Sequence, residues 1–185
     1  HITNLSRGAY GPKQGVPRIL EMLDVFGVKA TFFVPGVIAD SYPEVVREIG
    51  RRGHEIGFHG YFHEEFTTTT YEEEKATMER CEALIRELTG QQMVSHRAPG
   101  GVIHDYSLRL FAERGYISSS NWRDSDGPFI HELDGKKIPL VELPKDSIFD
   151  DTAYDFYTDS APERYELKSP GEMLEIWKEE FDSLA

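Results

Sequence analysis

His59 and His63 are the residues with the plainest capacity for chemistry. They stand four apart in His59-Gly60-Tyr61-Phe62-His63-Glu64, directly after a short apolar run. Two imidazoles so spaced can face one cation if the segment makes a single helical turn. Imidazole suits zinc and similar divalent ions, and a carboxylate as third ligand would leave a position open for water. Two surface histidines on a loop would give the same pattern; the preceding strand favours the metal pair. Arg97, in Ser95-His96-Arg97-Ala98-Pro99-Gly100-Gly101, ends another extended piece. It can hold a carboxylate ionised, or form an ordinary surface ion pair. Asp150 and Asp151 are adjacent acids after a later strand. They can supply the missing ligand, or be solvated loop charge. In Ser118-Ser119-Ser120-Asn121-Trp122, Asn121 and Trp122 can reach substrate, or Trp122 can simply close a barrel mouth. Cys81 lies among Met78, Leu84 and Ile85 on a helical pattern, which marks a buried thiol and not a nucleophile.

The elements that must position these groups alternate. Pro17 suits a first helical turn, Ile19, Leu20, Met22, Leu23 and Phe26 form an apolar stripe, and Gly27 ends the helix. Val28 to Val34 reads as a buried strand closed by Pro35-Gly36. Ser41 to Arg52 is a helix with Val45, Val46 and Ile49 on one face, and His54 to His59 is a second strand. The Thr67 to Thr70 run leads into a long polar helix ending at Leu88; Thr70 and Glu73 have capping-box spacing. Met93 to Pro99 is extended, Tyr106 to Arg114 helical, Tyr116 to Ser118 extended, and Leu140 to Leu143 a further strand. Ser169-Pro170-Gly171-Glu172 opens a last helix through Ile176, Trp177 and Phe181. The tyrosine-rich stretch Tyr154 to Tyr165 reads as a covering loop. Five or so strand–helix units predict an α/β fold around a parallel sheet, open or closed into a barrel, with the site at the strands' carboxyl ends.

Composition narrows the function classes. The 185 residues suit one domain, and 20 Lys and Arg against 33 Asp and Glu give a net charge of −13. Such a surface repels phosphate backbones and anionic lipid, so neither nucleic acid nor membrane is an expected partner. A single cysteine excludes an internal disulfide and a multi-cysteine zinc site. His1 to Tyr10 lacks a basic-then-apolar leader, which points to a cytoplasmic protein.

Three blocks in this order resemble the polysaccharide deacetylase (NodB-homology, family-four carbohydrate esterase) family: Thr31-Phe32-Phe33-Val34-Pro35-Gly36, Gly53 through Glu64, and Arg97-Ala98-Pro99. The central block is the most specific. Ser6-Arg7-Gly8 and Leu140-Val141-Glu142-Leu143-Pro144 with Asp150-Asp151 look most like the peptidoglycan-deacetylase-like branch, near its allantoinase and cyclic-imide hydrolase members. The resemblance implies an irregular (β/α) barrel of about seven strands and hydrolysis of a carbon–nitrogen bond, usually an N-acetyl group on an amino sugar of a peptidoglycan- or chitin-type glycan. It implies a divalent metal, zinc first, on His59 and His63, with Arg97 orienting the catalytic acid. Tyr61, Pro99, Trp122 and Asp151 are the substrate-contacting candidates, and a backbone N–H beside Tyr61 would help the metal stabilise the oxyanion.

Departures from the family are large. Its first strand carries two aspartates, one the base and one a metal ligand, yet His1 to Tyr10 contains no acid, and no histidine follows His131 to match its late catalytic one. Residues 1–185 are therefore expected to form one catalytic domain truncated at both ends, lacking the first and last strands. The exposed sheet edges would make a homo-oligomer or another partner useful. Two alternatives stand beside the deacetylase: a cyclic amide or ureide hydrolase working without metal, and a non-catalytic member that binds a glycan or partner.

Overall fold

The computed structural model describes residues 8–155 and 168–183. Ser6, Arg7 and most of the Tyr154 to Tyr165 stretch lie outside the described residues. The strands are β1 (Thr31–Val34), β2 (Glu55–Phe58), β3 (Ser95–His96), β4 (Ser118–Ser119), β5 (Phe129–Leu133) and β6 (Lys136–Glu142). The helices are α1 (Val16–Phe26), α2 (Gly36–Ser41), α3 (Pro43–Arg51), α4 (Tyr71–Thr89), α5 (Asp105–Glu113), α6 (Thr152–Asp155) and α7 (Pro170–Ser183). None of them is long and apolar enough to cross a membrane.

One six-stranded sheet runs in the order β1-β2-β3-β4-β6-β5. β1, β2, β3, β4 and β6 are mutually parallel, and β5 folds back antiparallel on β6. This is the α/β architecture the sequence predicts. Among the described residues β1 and β5 are edges, and the sheet has six strands where the family pattern suggests about seven. All five parallel strands end on one rim, which fixes where chemistry can sit.

Local signals account for most elements. Thr70 caps α4: its side chain accepts from Glu73 N at 3.3 Å while Glu73 Oε2 accepts from Thr70 N at 2.8 Å. Ser169 and Glu172 make the same reciprocal pair at α7, at 2.8 and 3.3 Å. Four boundaries differ from the sequence pattern. The helix around Ser41 is two helices, with Pro35 as the N-cap of α2 and Tyr42 between α2 and α3. The chain before α1 is already helical, through a π-turn at Gly11–Gly15. β3 and β4 shrink to two residues each. The β5–β6 hairpin was not foreseen; Asp134 (φ 51°) and Gly135 (φ 71°) form its two-residue turn, the left-handed pair that matches strand twist.

The core lies between the sheet and α3, α4 and α5, built on Val46, Ile49, Phe58, Met78, Ile85, Leu110 and Phe111. Of the apolar stripe on α1, Leu20 is buried, whereas Ile19 is 44% and Phe26 73% exposed. Gly57 in β2 lets Phe33 and Ser95 close in from the flanking strands: an added Cβ would fall 2.5 Å from Ser95 Oγ and 2.6 Å from the Phe33 ring.

Glu74 on α4 is a buried carboxylate. Its Oε2 accepts from Ser107 Oγ at 2.9 Å, and its Oε1 has no partner among the described residues. Burial raises its pKa more than Ser107 and the nearby His104 lower it.

Two outcomes follow. Gly57→Ala is expected to destabilise by about 1–3 kcal/mol through overpacking, read by denaturant unfolding. A raised carboxyl pKa contributes stability that is fully present below the unfolded-state pKa and lost as pH rises through the folded one. Glu74→Gln, which mimics the protonated acid, should therefore match the wild type in acid and exceed its melting temperature at neutral and alkaline pH. A difference that is constant with pH would show that Glu74 does not titrate as its burial demands.

Candidate functional site

His59 leaves the end of β2, and its ring Nδ1 lies 2.7 Å from the Arg97 carbonyl oxygen. A carbonyl can only accept, so Nδ1 carries the proton and Nε2 keeps its lone pair, the state a metal ligand needs. Burial also lowers the His59 pKa and favours the neutral ring. The His63 ring meets that of His59 edge-on, with centroids 4.7 Å apart. The two imidazoles do converge, but through a bend and not a helical turn. His63 itself sits at φ 62°, in the left-handed region.

The bend is held from several sides. The Glu64 carboxylate accepts from Tyr61 N at 3.0 and 3.1 Å and from Phe62 N at 2.6 Å. The first N–H groups of α2 close over the loop, Gly36 N donating to Gly60 O at 3.0 Å and Val37 N to Tyr61 O at 2.9 Å. Tyr61 turns away from the histidines. Its hydroxyl donates to Asp40 and accepts from Arg80, whose guanidinium lies 3.5 Å from the ring centroid. That ring leaves no room for a Cβ at position 36, where Cys81 Sγ would also stand at 2.9 Å. Cys81 is buried and its thiol pKa is pushed up to about 12, chiefly by desolvation, so it is no nucleophile. The expectation of a free oxyanion-binding N–H beside Tyr61 is corrected here: Tyr61 N and Phe62 N are both committed to Glu64. Glu64, Asp40 and Arg80 escaped sequence reasoning because carboxylates and arginines are common in so charged a chain; only Glu64's place one residue beyond the histidine pair was a signal.

Arg97 follows β3. Its Nη2 donates to Ser120 Oγ at 2.7 Å and its guanidinium rests 4.8 Å from the Phe33 ring centroid. Its Nε is buried without a hydrogen-bond partner among the described residues. A buried N–H left so is the donor an incoming carboxylate or substrate oxygen would satisfy. Burial disfavours the guanidinium charge, and Asp150 and Glu142 favour it.

Arg97 and Asp151 line one cleft of about 480 Å³, together with Pro144, Lys145, Asp146, Phe149, Asp150 and Trp177. Asp150 is ion-paired with Lys145 at 2.7 Å. Among the described residues no group of three His, Cys, Asp or Glu is placed to hold a metal, so neither Asp150 nor Asp151 completes the set begun by His59 and His63. The donor chemistry of the pair suits a metal: His59 by the tautomer that the Arg97 carbonyl selects, His63 by its proximity to that ring. Pro99 is buried in a tight turn, Pro99–Gly101, after β3. Trp122 lies against His131, 4.7 Å between centroids, and Phe129 on the hairpin side. The structure thus joins His59 to Arg97 through one hydrogen bond and to His63 through a ring contact, and Arg97 to Asp151 through one cleft. Tyr61 and Trp122 are engaged elsewhere.

A second network was not foreseen. Glu142 ends β6 fully buried, with Oε1 accepting from Asn121 N and from Trp122 N, the latter at 2.9 Å, and Oε2 accepting from His131 Nε2 at 2.7 Å. Burial would raise its pKa, but His131 and the two backbone N–H groups outweigh it and the net shift is downward.

The polysaccharide deacetylase family model matches residues 10–118. A peptidoglycan deacetylase from Helicobacter pylori is 25% identical, covering 97% of this chain and 69% of its own. A crystal structure described as a polysaccharide deacetylase from Mycobacterium smegmatis superposes with a TM-score of 0.87 at 35% identity, over 97% of this chain and 62% of that one. PuuE allantoinase shares the fold at a TM-score of 0.81 and 24% identity, over 100% of this chain and 58% of its own. The chain thus spans about three-fifths of those two solved structures. With more than half its length matched by the family model, the chain belongs to the polysaccharide deacetylase family.

Proposed function

We propose that the protein carrying this chain is a metal-dependent hydrolase that removes N-acetyl groups from amino sugars of a peptidoglycan- or chitin-type glycan. The observation that carries this reading is the convergence of His59 and His63 on one rim, with the His59 tautomer set by the carbonyl of Arg97. The relatives' names agree with the substrate class: the Helicobacter pylori protein is a peptidoglycan deacetylase.

His59 Nε2 and the His63 ring would hold the ion, zinc by preference for two imidazoles. When bound, a divalent cation lowers the pKa of water towards 7 and polarises an amide carbonyl. The chain's own residues supply the rest. Arg97 offers an unpartnered Nε–H to the acid that takes the water proton, and holds that acid ionised. Ser120 fixes the far side of the guanidinium. Phe149 and Trp177 give the cleft apolar faces against which a sugar ring can lie, and Asp151 offers an acceptor to its hydroxyls. Trp177 is held in place by its indole N–H, which donates to Ile148 O at 2.8 Å.

The test is metal content and amine release, measured with peptidoglycan fragments and chitooligosaccharides as substrates. His59→Ala and His63→Ala should each lower metal affinity by at least about tenfold and remove most of the activity. Unchanged metal content and amine release in both would sink the proposal. A companion measurement separates chemistry from folding. A non-glycine residue in the left-handed region carries a cost of about 1–2 kcal/mol. His63→Gly should therefore be more stable than His63→Ala by about 1 kcal/mol in denaturant unfolding, while both bind metal equally poorly. Equal stability would mean that His63 carries no backbone strain.

A further inference from the structure

We propose that Glu142 is a positioning residue for the reaction centred on Arg97, acting through Asn121 and Ser120. This rests on the hydrolase reading above. Glu142 is fully buried at the end of β6, between β4 and β5, and its oxygens are used on both sides: two backbone N–H groups on one, the His131 ring on the other. Among the described residues Glu142 is the recorded acceptor for the N–H of Asn121 and of Trp122, the pair that follows β4.

Asn121, so fixed, reaches across to the next strand. Its Oδ1 accepts from Ala98 N at 2.7 Å, and its Nδ2 donates to Ser119 Oγ at 2.7 Å and lies 3.2 Å from His96 Nδ1. His96 and Ala98 are the chain neighbours of Arg97. Ser120, between Ser119 and Asn121, accepts from the Arg97 guanidinium at 2.7 Å. Asn121, anchored by Glu142, therefore holds the Ala98 backbone N–H and the His96 ring on either side of Arg97, while Ser120, the residue before Asn121, holds the guanidinium. The Glu142 charge also favours the guanidinium cation. A buried carboxylate carries a desolvation cost that apolar packing would avoid, and its use here fits a requirement for one geometry over others.

The experiment uses the protein that carries this chain, with Glu142→Ala, Glu142→Gln and the distant core variant Met78→Ala. The first readout is the Arg97 Nε–H resonance and its exchange rate, assigned by its loss in Arg97→Lys; the second is kcat and KM for N-acetyl release. Glu142→Gln can still accept from Asn121 and Trp122 and can donate to His131 in its other tautomer. It should keep the Arg97 resonance and most of kcat. Glu142→Ala should shift that resonance, speed its exchange, and lower kcat by about 10²-fold with KM little changed. Met78→Ala should lose stability but leave both readouts as in the wild type.

A folded Glu142→Ala with an unmoved Arg97 resonance overturns the proposal, and so does a Met78→Ala that moves it equally. If Glu142→Ala does not fold, Glu142→Asp decides: it keeps the charge but withdraws it by one methylene, and must move the resonance. A wild type that releases no amine defeats the hydrolase reading alone, because the Arg97 resonance still decides the role of Glu142.

Discussion

The hydrogen bond between His59 Nδ1 and the Arg97 carbonyl joins the ends of two neighbouring strands, β2 and β3, and does so at the point where the sheet stops. It sets three things together. It selects the tautomer that leaves His59 Nε2 able to bind a cation, it aims that ring, and it ties the ring's position to the backbone of Arg97. Such coupling is available only in a parallel sheet, where adjacent strands deliver their last residues side by side. Phe58 pairs with His96, and Arg97 N donates to Phe58 O at 3.1 Å, so the residues after both strands are in register before any side chain acts.

A related arrangement recurs two strands further on, with backbone and carboxylate roles exchanged. At the β4–β6 boundary a buried Glu142 accepts from the loop N–H groups, whereas at the β2–β3 boundary a loop carbonyl accepts from a buried-side histidine. Both devices answer one problem. Strand ends carry unpaired backbone groups, and each must find a partner when the rim is shielded from water. Side chains that meet this need also fix the rim's geometry, so polar satisfaction and preorganisation are the same interactions here. Arg97 Nε is one of the buried polar atoms left without a partner among the described residues, as is His96 Nε2 beside it.

What could be read in the sequence follows from how local each cause is. The α4 cap, the strand at Val28 to Val34 and the histidine pair are written in contiguous residues, and each appears in the structure within a few positions. The α/β class was legible for the same reason. β5 was not, because His131 faces inward to Glu142 and breaks the apolar alternation; the Asp134-Gly135 turn was the one available sign. α2 was masked by Pro35-Gly36, which signals a turn but here starts a helix whose first N–H groups bind the Gly60 and Tyr61 carbonyls. The stripe on α1 promised burial that periodicity cannot guarantee, since what covers a helix is decided by its neighbours; Leu20 alone of that stripe is buried. Tyr61 shows the same limit at the site. It lies between the two histidines in sequence, yet its ring belongs to the α2–α4 side, held by Asp40 and Arg80.

His63 shows why those side-on contacts matter to the rim. A left-handed residue other than glycine persists only where its surroundings over-determine it. Here the surroundings are the Glu64 carboxylate gripping two preceding N–H groups, the α2 N–H groups gripping two carbonyls, and the Tyr61 ring filling the space that Gly36 leaves. Together they leave the chain one course through the bend, and that course brings the second imidazole to within 4.7 Å of the first. The pair's geometry is therefore a property of the loop's hydrogen bonds and packing more than of His-x-x-x-His spacing. The same spacing on an unsupported loop would leave His63 free to relax to negative φ, and the two rings would then have no reason to converge.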